Sequence, residues 1–197
     1  EFDAEDYSFT SVPNDMFENT YCLQRVRIPE GVTSLGQYSI SGAESLEHIE
    51  LPSTLKEIDC NSIVDHKLRE IILAEGNPYY KSVDGAIYSH DMTRLCLYPM
   101  GQKRESIRIP EGVKYMNWYI FPKRDESYSI KEIILPSTLL ELPLHGINSC
   151  YMGLESFIVP DNVCQLAGGS VPLVKNTVIG KRAGKPITDS NIVNCGM

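Results

Sequence analysis

The side chains that could carry out chemistry are scattered along the 197 residues of the chain. A catalytic nucleophile needs a base within hydrogen-bond reach. No GxSxG or HExxH motif marks such a pair in this sequence. The four histidines fall in separate segments, at His48, His66, His90 and His145. The sequence therefore predicts no catalytic residue and no enzymatic activity.

A second group with possible chemistry is Asp84, His90 and Asp91, which fall within residues 77–101. Their side chains are of types that bind metal ions. Asp and Gly are also typical turn residues, and the twelve-residue Asp-rich loop of a calcium site is missing. We interpret this group as turn chemistry and predict no metal site and no cofactor.

The most basic segment is GKRAGK at residues 180–185, which holds Lys181, Arg182 and Lys185. It could contact a phosphate or an acidic partner, but it lacks the GxxxxGK[ST] spacing of a phosphate loop. A solvated turn is the favoured interpretation. The formal net charge of −8 argues against a nucleic-acid partner, since an acidic protein repels phosphate backbones.

Six cysteines are spread along the chain without any CxxC pair, so the spacing of a structural zinc site is missing. We predict that most of them are buried free thiols, which pack as small hydrophobes. Cys164 and Cys195 are the expected pair if one disulfide forms.

One pattern of apolar residues recurs along the chain. LEHIELPSTL at 46–55 and IKEIILPSTL at 130–139 are its clearest copies. Related copies begin at Leu23, Leu68, Glu105 and Leu154, and a weaker one begins at Val174. Neighbouring copies are mostly separated by roughly 20 to 26 residues, the period of leucine-rich repeats.

Each copy predicts a short strand that ends in a turn. Ile49 and Leu51 alternate with His48 and Glu50, which places the two apolar side chains on one face, and Pro52 ends the strand. One unit cannot bury that face alone, so successive units must stack. The sequence predicts a β-rich solenoid of about seven short-strand coils with a parallel sheet and little helix. The predicted core positions are Val26, Ile28, Ile49, Leu51, Ile71, Leu73, Ile107, Ile109, Ile133, Leu135, Phe157 and Val159.

The pattern L-x-x-I-x-L-P-x-x-L-x-x-I resembles the BspA-like class of leucine-rich repeats over roughly residues 9–180. The Ala-Phe-x-x-Cys segment of that class is poorly kept. The resemblance implies an exported or cell-surface protein, as in anaerobic bacteria and some protists. It also implies an adhesin-like role toward host matrix proteins or other cells.

The predicted organisation is a single domain over residues 1–197, in which 1–22 form an N-terminal cap and partial repeat. Repeats occupy 23–166, with a β-hairpin inserted at 77–101 whose two strands are separated by HDMT. The last strand and a C-terminal cap occupy 167–197. No apolar run reaches about 18 residues, so no transmembrane segment is predicted, and no signal peptide is visible in the chain.

The predicted binding surface is a strip on the outer face of the sheet. The position between the last two core residues of each copy is apolar in the last three copies, at Ile134, Ile158 and Val178. Adjacent strands lie about 4.8 Å apart, so these side chains should form a contiguous strip. Glu132, Ser156 and Asn176 should lie beside it. The same pattern is also expected if β-branched residues are present only for strand propensity, or if the C-terminal cap covers the strip.

We predict a non-catalytic interaction module that binds a protein or a glycan, with self-association also possible. A structural spacer that presents another domain is the alternative, and a carbohydrate-active enzyme is the third. An exposed apolar strip favours binding, whereas a mixed polar surface favours a spacer. An enzyme would need a cleft with convergent carboxylates.

Overall fold

The fold is a parallel-strand β-solenoid of about six turns, where the sequence predicted about seven. No helix occurs among the residues that this computed structural model describes. Contacts divide the chain into two compact units, residues 1–102 and 103–197, and the single-domain interpretation stays a prediction. The described residues are 2–3, 9–64, 67–102, 104–121, 130–143, 145–147, 154, 156–167, 170, 172, 174, 176–179, 181–182 and 185–186.

The described residues up to 102 form twelve strands. They are β1 (Phe2–Asp3), β2 (Ser11–Val12), β3 (Arg25–Arg27), β4 (Ser34–Leu35), β5 (Ile40–Ser41), β6 (His48–Leu51), β7 (Glu57–Ile58), β8 (Ile63–Val64), β9 (Glu70–Leu73), β10 (Tyr80–Val83), β11 (Ala86–Ser89) and β12 (Arg94–Leu97).

Three parallel sheets follow from stacking one coil on the next. The first has the order β1-β3-β6-β9, the second β2-β4-β7, and the third β5-β8. In the first sheet Val26 lies opposite Ile49, and Ile49 lies opposite Ile71, so equivalent core positions form one buried row. The outward neighbours Arg27, Glu50 and Ile72 form the matching outer row.

The inserted segment forms three antiparallel strands, which corrects the predicted hairpin. The run SVDGAIYS, predicted as one strand, is split between β10 and β11 by a turn at Asp84 and Gly85. Both residues have positive φ, 51° and 79°, as a type I′ Asp-Gly turn requires. The predicted turn at HDMT is confirmed, since it joins β11 to β12.

Residues 103–197 hold the remaining strands. They are β13 (Ser106–Arg108), β14 (Tyr115–Met116), β15 (Glu132–Ile134), β16 (Glu141–Leu142), β17 (Ser156–Val159), β18 (Gln165–Leu166), β19 (Asn176–Ile179), β20 (Lys181–Arg182) and β21 (Lys185–Pro186).

In this unit, as in the first, strands of successive coils pair in parallel. The parallel pairs are β13 with β15, β16 with β18, and β17 with β19. Strands β15 and β17 are also in contact. Strands β20 and β21 pair antiparallel, with Lys181 opposite Pro186 and Arg182 opposite Lys185.

The core lies between the sheets of each unit, as the repeat spacing predicted. Every predicted core position is buried except Leu73, which is half-buried. Val12 and Phe17, in the predicted partial first repeat, are buried as well. Burial of this kind is the main stabilising term of a stack whose single coils have no core of their own.

Candidate functional site

The outer row of the second unit is apolar and largely exposed. Ile158 and Val178 lie directly opposite each other on β17 and β19, and they are 62% and 57% exposed. Ile134 on β15 occupies the equivalent outward position, opposite Arg108 of β13, and is half-buried. The prediction that these three residues are at least partly exposed is confirmed. The prediction that they bind a partner stays a prediction.

A single open groove joins the three residues. Its volume is about 700 Å³. Ile134, Ile158 and Val178 lie on one side of the groove, and the turns that follow strands β13, β15 and β17 contribute the other side. The remaining lining residues are Glu111, Glu132, Ile133, Leu135, Ser137, Ser156, Val159, Pro160, Asp161 and Asn162. Glu132 and Ser156 were predicted beside the strip; Asn176 is exposed on β19 opposite Ser156.

The charges among these lining residues are all negative. They are Glu111, Glu132 and Asp161. The amide and hydroxyl of Ser137 each donate a hydrogen bond to Glu111, at 3.0 Å, which lowers the pKa of that carboxyl. Glu132 accepts a hydrogen bond from the Ser106 hydroxyl at 3.0 Å. The groove therefore combines an aliphatic floor with an acidic rim.

The equivalent groove of the first unit has a different character. Its volume is about 440 Å³, and Arg27, Glu50 and Ile72 lie on its outer row. The Arg27 guanidinium Nε lies 3.6 Å from a Glu50 carboxylate oxygen. Ile72 is 42% exposed and is the single aliphatic residue among these three. The same fold position thus carries an ion pair in one unit and an aliphatic strip in the other.

The residues considered for catalysis are not brought together. His48 Nδ1 lies 2.9 Å from a Glu70 carboxylate oxygen on the outer face of the first sheet. His145 stacks on the Tyr119 ring at a centroid distance of 5.1 Å. His90 is exposed at the end of β11, and His66 lies outside the described residues. Within the described part of the chain, no three His, Cys, Asp or Glu side chains group as metal ligands would.

The hairpin aspartate has a structural role. The Asp91 carboxylate accepts hydrogen bonds from the Ser89 hydroxyl at 2.6 Å and from the Thr93 amide at 3.0 Å. The Thr93 hydroxyl also donates to it. These bonds lower the pKa of Asp91 to about 2. They close the turn between β11 and β12, which agrees with the turn interpretation.

The Cys96 and Cys60 thiols are unsuited to nucleophilic chemistry at neutral pH. Burial raises the pKa of Cys96 to about 12 and that of Cys60 to about 11. A thiol with such a pKa is protonated and inert. Among the described cysteines Cys96 is buried, Cys60 and Cys164 are half-buried and Cys22 is exposed, so the prediction that most are buried is wrong for this part of the chain. Cys164 is a free thiol rather than half of the disulfide suggested by the sequence, and Cys195 lies outside the described residues.

Sequence reasoning missed the turn residues that complete the groove. Glu111 follows Pro110, and Asp161 follows Pro160, each just after a strand that ends in proline. Because parallel strands end at the same edge of a sheet, these turns meet beside the outer row. The turn after β15 lies between them, since Ser137 donates to Glu111 and the Asn162 side-chain amide donates to the Ser137 carbonyl at 2.7 Å. The proline that recurs after these strands was the sequence signal that could have located these turns.

Family membership follows from the repeats themselves. The family model described as the BspA type leucine-rich repeat region matches in six copies, over residues 6–84 and 97–170. The chain belongs to the BspA-type leucine-rich repeat family. This confirms the resemblance inferred from the repeated pattern. Among curated proteins, none matches the chain significantly.

Three solved structures share the fold of this chain. A leucine-rich repeat protein from Eubacterium ventriosum aligns with a TM-score of 0.70 at 21% identity, over 85% of this chain and 44% of that one. The pneumococcal vaccine antigen PcpA aligns at 0.59 and 21% identity, over 89% and 55%. A leucine-rich cell surface protein from Faecalibacterium prausnitzii aligns at 0.59 and 17% identity, over 95% and 67%.

The BspA-type chain described here therefore spans about half the length of the first two of these proteins. At such identities the likeness concerns the fold. In the part of the chain that the structure describes, no helix is long and apolar enough to cross a membrane.

Proposed function

We propose that this chain is a non-catalytic interaction module of an exported or cell-surface protein, and that it binds a protein partner through the groove lined by Ile134, Ile158 and Val178. The observation that carries the proposal is the exposure of Ile158 and Val178 side by side in one groove. Large contiguous apolar patches are rare on the surface of monomeric proteins and mark interaction sites. The family and its cell-surface relatives support the proposed location.

A protein partner fits the groove better than a glycan does. The groove residues on the outer row are aliphatic, and none of the described lining residues is aromatic. Sugar rings are held by aromatic faces and convergent polar groups, whereas aliphatic side chains of a protein pack well on Ile and Val. An adhesin-like role toward host proteins is the form of this proposal that the family resemblance favours.

A spacer that merely presents another domain is the competing function. A spacer needs only a polar outer row, such as the first unit has with its Arg27–Glu50 ion pair. It has no use for the aliphatic outer row of the second unit. Exposed Ile and Val side chains would instead be a solubility liability. The contrast between the two units therefore supports binding.

The experiment is a selection from a displayed library of short random peptides on immobilised protein. Three proteins are compared: the wild type, the double variant Ile158→Lys with Val178→Lys, and Ile72→Lys as matched control. We expect peptides to be enriched on the wild type and on Ile72→Lys. Enrichment should fall at least about tenfold on the double variant, because a central apolar cluster carries most interface energy. Equal enrichment on the double variant would contradict the proposal.

A further inference from the structure

The groove has a charge pattern that constrains its partner beyond the proposed function, on which this inference rests. Its outer row is aliphatic, at Ile134, Ile158 and Val178, and its rim carries Glu111, Glu132 and Asp161. None of the described residues that line it is basic, and the exposed Arg108 lies opposite Ile134 on the neighbouring strand β13. From this juxtaposition we propose that the groove binds a segment of another protein in which aliphatic side chains are flanked by lysine or arginine.

The aliphatic side chains of the partner supply the contact with the floor. Ile158 and Val178 lie opposite each other on paired strands about 4.8 Å apart, and both residues are more than half exposed. A partner Leu, Ile or Val side chain above this pair removes the surfaces of all three from water. This contact is the affinity-determining part, because burial of apolar area is its source.

The rim determines which aliphatic segment is accepted. Glu111 is held at the groove edge by two hydrogen bonds from Ser137, so its charge has a fixed position. Glu132 is placed on β15 next to Ile133 and Ile134, and it contacts the Ser106 hydroxyl at 3.0 Å. Lysine or arginine side chains have long apolar stems, so a flanking basic residue can cover the floor and reach the carboxylates together. An acidic segment would be repelled by the same groups.

The same charges disfavour a second copy of this chain as the occupant. In a twofold contact the surface pairs with itself, so Glu111 and Glu132 would approach the matching carboxylates of the other copy. Each chain also carries a formal net charge of −8. Like charges placed opposite one another suppress a contact that the aliphatic floor alone would allow.

The test reads the composition of the peptides that a displayed random library yields on the wild type. Some peptides will be enriched on the wild type and not on the Ile158→Lys, Val178→Lys variant. These peptides should contain a cluster of aliphatic residues and more Lys and Arg than Asp and Glu. On the double variant Glu132→Gln with Asp161→Asn, the basic excess should shrink. Affinity of a synthesised basic peptide should fall by about two- to fivefold per removed rim charge. The charge-matched control, Glu18→Gln with Glu44→Gln, alters exposed residues of the other unit and should keep the excess.

Two results would overturn the inference while leaving the proposed function intact. One is a set of Ile158-dependent peptides that are neutral or acidic. The other is a dimer of the wild type in sedimentation velocity that Ile158→Lys dissolves, since the occupant would then be a second copy. Enrichment that does not depend on Ile158 and Val178 would instead defeat the proposed function itself.

Discussion

The Glu30 carboxylate accepts one hydrogen bond from the Ser53 amide at 2.8 Å and another from the Ser53 hydroxyl at 2.9 Å. Glu111 and Ser137 make the same pair of bonds in the second unit, each at 3.0 Å. In both cases an IPEGV turn of one coil lies beside an LPSTL turn of the next, at 28–32 with 51–55 and at 109–113 with 135–139. The repeated LPSTL turn thus binds the turn of the preceding coil through its serine.

The threonine that follows each serine completes the contact. Thr54 accepts a hydrogen bond from the Gly31 amide at 2.9 Å and donates one to the Val32 carbonyl at 2.8 Å. Thr138 does the same with Gly112 and Val113. Gly31 and Gly112 have φ of 97° and 100°, a backbone conformation that favours glycine. The two turns therefore lock together through side chains as well as stacking.

The Glu–Ser pairs predict a pH dependence of stability at acid pH. Hydrogen bonds from Ser53 and Ser137 lower the pKa of Glu30 and of Glu111 from an ordinary value of 4.5. The folded state therefore favours the ionised carboxylates, and this stability is present above pH 4.5 and lost as pH falls below it. Replacing Glu30 and Glu111 by Gln removes the titrating carboxylates and should flatten the acid limb of urea denaturation midpoints plotted against pH. Glu18→Gln with Glu44→Gln, at exposed positions, is the control, and an unchanged acid limb in the Glu30 and Glu111 double variant would refute the assignment.

Tyr80 closes the exposed edge of the second sheet. Its hydroxyl accepts a hydrogen bond from the Ile58 amide at 3.0 Å and donates one to the Lys56 carbonyl at 3.0 Å. The hydroxyl thus bonds backbone groups of β7 and its neighbour that a further strand would otherwise bond. Tyr80→Phe leaves both backbone groups unpaired and should lower the free energy of unfolding by about 1–3 kcal/mol. Tyr79→Phe, at an exposed neighbour, should change it little.

The same tyrosine gives a spectroscopic check. Burial raises the pKa of Tyr80 to about 12 from an ordinary 10.0, so its contribution to stability is present below pH 10.0 and is lost toward pH 12. Tyr80 should therefore ionise late in an absorbance titration, and the late absorbance change should be smaller by one tyrosine in Tyr80→Phe. A titration identical in both proteins would contradict the contact.

Asn77 joins the turn that follows β9 to the turn that follows β6. Its side-chain amide donates to the Pro52 and Leu55 carbonyls at 3.2 and 2.9 Å, and its oxygen accepts from the Tyr79 and Tyr80 amides. The residue is buried, so Asn77→Ala should cost about 2–4 kcal/mol in urea unfolding. Asn77→Asp keeps the acceptor but sets a second oxygen against two carbonyls, and it should be less destabilised at acid pH, where a protonated carboxyl donates. A neutral effect of Asn77→Ala would refute this role.

Ile133 and Ile158 should respond in opposite ways to charge, although both lie on outer-sheet strands of the second unit. Ile133 is buried in the core, whereas Ile158 points outward. Ile133→Asp should unfold the second unit, because an unpaired buried charge costs several kcal/mol. Ile158→Lys should change the unfolding free energy by less than about 0.5 kcal/mol. Circular dichroism melting compares them, and an unfolded Ile158→Lys would show that this residue belongs to the core.

The sequence predicted what depends on local periodicity. The alternation around Ile49 and Ile133 placed the core residues correctly, and the outward position of Ile158 followed from the same register. Contacts between side chains and distant backbone could not be read in this way. Ser137 meets Glu111 across 26 residues, and Tyr80 meets Ile58 across 22. Only the stacking of coils brings such pairs together.

The split of SVDGAIYS has a different physical cause. Strand propensity averaged over these eight residues predicts one strand, but Asp84 and Gly85 interrupt the run with a turn. The Asp-Gly dipeptide is itself a strong hairpin signal. Turn chemistry at two residues therefore outweighs the average strand propensity of the segment around them.

The most direct test of the binding groove is methyl-resolved NMR of the wild type with labelled Ile and Val side chains. The titrant is the synthetic peptide most strongly enriched on the wild type from the displayed library. The methyl resonances of Ile134, Ile158 and Val178 should shift in a saturable way, while those of Ile72, at the equivalent position of the first unit, should not. Shifts centred on Ile72 or on other methyl groups, with Ile158 and Val178 unmoved, would contradict the assignment of the groove.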